Sequence, residues 1–139
     1  MAIVRYLVRD VDAALPFYQA LGFTLGERWG PPFVMLARGD LVLWLSGPGT
    51  SAARTLADGS VPQPGGWNRL VIEVNNLDEA VVPLRAIDAR FRSDPVQGPG
   101  GRQLLVEDPS GNPVELFEPF RSDAPSPGQR TSGGSTPAR

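Results

Sequence analysis

The sequence contains no histidine, no cysteine and no lysine. Without cysteine there can be no disulfide, no thiolate metal site and no cysteine nucleophile. Without histidine there can be no Ser-His-Asp relay, no two-histidine-one-carboxylate iron site and no ordinary zinc site. Oxygen-only sites for magnesium or calcium stay open on composition alone. Arginine supplies every side-chain cation, and the formal net charge is −2. No basic stripe forms, which argues against nucleic acid as a partner. Residues 67–120 carry a surplus of Asp and Glu over Arg, which reads first as a solvated acidic surface. No apolar run approaches the roughly 18 residues of a membrane span, so no membrane partner is expected. The first residues, MAIVRYLVRDVD, lack the pattern of a secretory signal, and the cytoplasm is the expected compartment.

What is present is enough for one core. At 139 residues and 41% hydrophobic content, a single globular domain over 1–120 is expected. Residues 2–8 read as a strand. Asp10 to Gly22 reads as a helix, with Asp10 as N-cap, Asp12 favoured by the helix dipole and Gly22 as the stop. Leu15, Tyr18 and Leu21 would face a sheet, and Pro16 predicts a bend or a later helix start. Strands are expected near 23–29, 33–38 and 41–46, closing a first module at residue 46. Residues 47–66, rich in Gly, Pro, Ser and Ala, form a connector, either a linker or a flap. The pattern then restarts over 67–120, with a strand at 67–74, a helix at 76–90 capped by Asn76, and strands near 91–93, 102–107 and 113–118. The stretch from Val74 to Ala80 lies on the stretch from Val8 to Ala14 at one constant offset, the mark of an internal duplication. The predicted class is α+β: two tandem βαβββ modules forming a cupped mixed sheet, with helices on its outer face. Residues 121–139 have almost nothing to bury and read as a flexible tail.

The segments V-R-D-V-D…F-Y-Q-A-L-G-F, the strand-helix opening at 67–80 and the ending D108-P-S-G-N-P-V-E-L116 stand in order and at suitable separations. Together they resemble the vicinal-oxygen-chelate superfamily, which covers glyoxalase I, extradiol dioxygenases, and the bleomycin- and fosfomycin-resistance proteins. The resemblance spans residues 2 to about 119. It implies that metal-dependent members would place ligands at positions corresponding to Ile3, Trp44, Arg69 and Glu115. Only Glu115 can ligate a cation, and the fixed charge of Arg69 would repel one. No metal and no other cofactor is therefore expected. An Arg69–Glu115 ion pair, facing across the cup, is expected at the former metal position; the alternative is that both meet solvent at the pocket mouth.

Alternation along the strands divides core from cup. Leu70, Ile72, Val74, Val114 and Leu116 should pack under the helices. The cup is then lined by Ile3, Arg5, Leu7, Val42, Trp44, Trp67, Arg69, Val71, Glu73, Gln103, Leu105, Glu115 and Phe117. From these, Arg5, Leu7, Trp44, Trp67, Arg69, Gln103, Leu105, Glu115 and Phe117 are the candidate ligand-binding residues. Such a lining suits a flat, partly apolar guest held by stacking and a few hydrogen bonds. A tryptophan on a sheet face can equally be plain core. Trp29, before Gly30-Pro31-Pro32, sits at a turn and suits a rim or a dimer contact.

The resemblance to the metal-free bleomycin-resistance branch implies a homodimer that sequesters a small aromatic natural product or antibiotic, with no catalytic residue. The alternative is a metal-free lyase, isomerase or hydrolase-like enzyme, with Glu115 or Glu73 as base and Arg5 or Arg69 stabilising an oxyanion. A regulatory subunit with a vestigial pocket remains open beside both.

Overall fold

A computed structural model describes residues 1–120; the expected flexible tail, 121–139, lies outside the described residues. The elements run β1 (Ile3–Leu7), α1 (Val11–Ala20), β2 (Thr24–Arg28), β3 (Phe33–Arg38) and β4 (Leu41–Ser46). After a short 3-10 turn at Ser51–Ala53 come β5 (Leu70–Glu73), α2 (Leu77–Ala80), α3 (Val82–Ala86), β6 (Arg90–Phe91), β7 (Val96–Gln97), β8 (Gly101–Glu107) and β9 (Pro113–Pro119). The first module gives a sheet ordered β1-β4-β3-β2. The second gives β5-β9-β8-β6, with β7 also on β8. In each, the strand before the helix pairs in parallel with the last strand, and the other pairings are antiparallel. The tandem βαβββ arrangement is thus the observed fold.

Local chemistry explains the helix starts. Asp10 has extended backbone and its carboxylate accepts from the N–H of Ala13; Asn76 does the same for the N–H of Glu79. Helix α1 begins at Val11, so Pro16 sits inside it rather than delaying it, leaving the Asp12 carbonyl without its helical N–H. Its buried stripe is Val11, Ala14, Phe17, Tyr18 and Leu21, with the expected Leu15 only partly covered. Gly22, at φ 95, ends the helix as expected.

The second module corrects the sequence reading in four places. The helix expected over 76–90 is two short ones, because Pro83 has no N–H to donate to the Glu79 carbonyl. It also ends early: Asp88 turns left-handed at φ 56, which frees Arg90 to start β6. The strand expected at 67–74 covers only Leu70–Glu73, so Trp67 and Arg69 precede it. A strand not foreseen, β7, lies against β8.

One core cluster contains residues of both modules, among them Tyr18 and Leu45 from the first and Leu84 and Leu116 from the second. The D108-P-S-G-N turn fastens the modules together. The Asp108 carboxylate is buried and accepts four hydrogen bonds: from the N–H groups of Ser110 and Asn112, from Asn112 Nδ2, and from the Tyr18 hydroxyl at 2.7 Å. Ser110 Oγ accepts from the N–H of Arg9, and Asn112 Nδ2 also donates to the Leu7 carbonyl. Gly111, at φ 85, makes the turn possible. The motif is therefore a rivet between modules.

Candidate functional site

Alternation places the two faces of each sheet as expected. Leu70 and Ile72 are buried under the helices, whereas Val71 and Glu73 are exposed. On the first sheet Leu43 and Leu45 are fully buried, while Val42 and Trp44 face the other way and are half-buried. That open side is the cup face.

On the first sheet Arg5 pairs in register with Trp44. Its guanidinium lies 5.1 Å from the Trp44 ring centroid, and Nη1 donates to Ser46 Oγ at 3.0 Å. Phe33 packs edge-on to Trp44 and Trp29 packs on Phe33, making a row of rings that ends at the cation. The Trp44 indole N–H is enclosed with no acceptor among the described residues, a cost that an all-apolar ring would avoid. Leu7 is half-buried and lies under the connector, in a cavity of about 300 Å³ lined also by Ser46, Val61 and Pro62.

The second sheet carries most of the remaining candidates. Arg69 donates from Nε (3.1 Å) and Nη2 (3.0 Å) to one oxygen of Glu115, which is buried. The pair forms, but within the second sheet, from the residue just before β5 to the neighbouring β9, rather than across the cup. Leu105 lies beside Glu115, and Gln103 beside Phe117; all three apart from Glu115 are half-buried. Trp67 is 69% exposed and stacks on Arg92, whose guanidinium is 4.5 Å from its ring centroid. Arg92 and Glu107 were not among the candidates. Arg92 pairs with Glu107 and donates to the Gly66 and Gly111 carbonyls. Glu107 shares the parity of Gln103 and Leu105, which was a legible signal; Arg92 lies past a two-residue strand, which was not.

Tyr6, on the core side of β1, joins the two sheets. Its hydroxyl accepts from the N–H of Leu70 and donates to the Pro113 carbonyl, at 2.9 and 3.0 Å. Burial pushes its phenol up, and pushes that of Tyr18 well above the usual range, with the Asp108 charge adding to both.

The sequence matches the Glyoxalase/Bleomycin resistance protein/Dioxygenase superfamily over residues 1–116. The chain belongs to that superfamily. No curated protein matches it. Among solved structures, it is similar to a glyoxalase/bleomycin resistance protein/dioxygenase family enzyme from Burkholderia phytofirmans PsJN, at TM-score 0.72 and 23% identity over 85% of this chain and 97% of that one. TnmS3, an antibiotic binding protein from Streptomyces sp. CB03234, gives TM-score 0.60 and 22% identity over 86% and 97%. Lactoylglutathione lyase from Agrobacterium tumefaciens gives 0.62 and 24% over 84% and 92%. These likenesses support the fold, and they include both a binding protein and enzymes.

The four positions that the superfamily's metal-dependent members use can be tested on these residues. Ile3 lies opposite Val42, two residues before Trp44, and Leu70, which follows Arg69, lies opposite Val114, which precedes Glu115. The donor set does not fit a divalent cation. Ile3 has no donor atom, the Trp44 indole offers only N–H, and an oxygen of Glu115 already accepts twice from Arg69. Among the described residues no group of three or more Asp or Glu could hold a metal ion instead.

Proposed function

We propose that the protein is a metal-independent binding protein of the bleomycin-resistance kind, which holds a flat aromatic natural product or antibiotic on its cup faces. The observation that carries this reading is the Arg69–Glu115 pair, which puts a charge-neutralised contact where a coordination site would need free donors. Around it the cup faces offer rings and aliphatic groups with a few fixed polar atoms, the composition of a small-molecule pocket. TnmS3, described as an antibiotic binding protein, shares the fold.

The catalytic alternative has less support. Glu115 is engaged by Arg69, and Glu73 is exposed to water with no hydrogen bond among the described residues to orient it as a base. A homodimer belongs to the same proposal. Ile3, Trp67 and Val71 are exposed apolar groups on the open side, and a second chain laid over them would complete the pocket. No helix among the described residues is long and apolar enough to cross a membrane; a cytoplasmic binding protein is the proposed setting. Titration of aromatic antibiotics against tryptophan fluorescence tests the reading. Saturable quenching with the ligand recovered unchanged supports it, whereas recovery of a converted product refutes it.

A further inference from the structure

We propose that the guest of the cup is an anion, an aromatic carboxylate or phenolate, and that Arg5 selects it. This deepens the binding reading above and rests on it. Three arginines border the cup faces in the described structure: Arg5, Arg69 and Arg92. Two are neutralised, Arg69 by Glu115 and Arg92 by Glu107. Arg5 has no carboxylate within ion-pair distance among the described residues. It is nonetheless held in place, by the buried hydroxyl of Ser46 at 3.0 Å and by the face of Trp44. A guanidinium fixed this way loses little freedom on binding, and its remaining N–H groups form a fork suited to two oxygens.

The surroundings of Arg5 are apolar. Ile3, Val42 and Met35 share the face of Arg5 and Trp44, through the pairings Ile3 with Val42 and Met35 with Trp44. A planar body can lie over them while its ionised oxygens reach Arg5. Glu73, on the other sheet, has no ion-pair partner and no hydrogen bond among the described residues and is exposed, so it offers no comparable preset contact.

The test uses three probes of one shape on the full chain: an anthracene carboxylate, the matching neutral carbinol and the matching methylamine, followed by probe anisotropy. The carboxylate should bind roughly two- to fivefold more tightly than the carbinol, the factor one exposed ion pair supplies, with the advantage shrinking as salt rises. Arg5→Gln should bring the carboxylate down to the carbinol's affinity, and Arg5→Lys should recover part of the difference. Thermal unfolding of each variant shows whether the fold is kept. Equal binding of carboxylate and carbinol, or a preference that survives Arg5→Gln, overturns the proposal while leaving the binding reading intact. Preference for the amine overturns it in favour of Glu73. Failure of all three probes counts against the binding reading, and this inference falls with it.

Discussion

Replacing Asp108 by alanine should be among the most damaging single changes outside the apolar core. The carboxylate is 3% exposed and accepts four hydrogen bonds, one from a tyrosine that is itself fully buried. A hydrogen bond to a charged group contributes about 1.5–3 kcal/mol, and a buried donor left unmatched costs about 1–3 kcal/mol. These terms are not additive, and removing the carboxylate also removes its own desolvation cost. The expected net loss is about 3–5 kcal/mol, the range for breaking a buried charged network. For a chain of this size that lowers Tm by roughly 10–20 °C. Urea unfolding followed by near-ultraviolet circular dichroism gives the free energy, with an unchanged m-value showing that the transition remains two-state. Asp108→Asn, which keeps the shape but turns one acceptor into a donor, should lose less than the alanine variant. Its effect should couple with that of Tyr18→Phe in a double-mutant cycle. A loss below about 1 kcal/mol for Asp108→Ala would show that the turn is not a rivet between modules.

The raised phenols of Tyr6 and Tyr18 make the folded state hold more protons than the unfolded chain above a pH of about 10. Their contribution is full below that pH and is lost as pH rises further, so the urea midpoint should fall on the alkaline side; a flat midpoint there contradicts the burial of both hydroxyls. Arg69→Leu strands the buried Glu115 carboxylate and should cost about 3–5 kcal/mol in urea unfolding, whereas adding Glu115→Leu should restore most of it. No recovery in the double variant would mean the arginine acts by packing alone. At Gly101 an added Cβ would overlap the Glu118 carbonyl oxygen, so Gly101→Ala should separate β8 from β9 locally and cost at least about 2 kcal/mol; amide exchange across these strands shows whether they part.

The features legible in the sequence were those set by local chemistry or by parity. Asp10 and Asn76 were readable as caps because a cap needs only a short side chain ahead of a helix. The Arg69–Glu115 pair was readable because alternation puts both on one face, although alternation does not say that they meet within one sheet rather than across the cup. Pro83 was passed over because the apolar spacing across 76–90 stayed helical, and spacing carries no record of a missing N–H. Strand β7 is two residues long, too short for any period. The motif at 108–112 marked the fold, but the chemical work of Asp108 depends on Tyr18, far away in the chain, and no local rule connects them. Trp67 was placed on the cup by parity, yet its ring is fixed by Arg92, which the packing of a short edge strand delivers.

Everything proposed here rests on a cup face that holds a small aromatic guest without metal. Its most direct test is a tryptophan-fluorescence titration with aromatic antibiotics, run with and without a strong chelator, followed by recovery of the ligand. A metal-independent binding site should give saturable quenching at micromolar ligand, unchanged by the chelator, with the ligand returned intact. Binding that appears only with an added divalent cation, a ligand returned as product, or no quenching across the panel would contradict it.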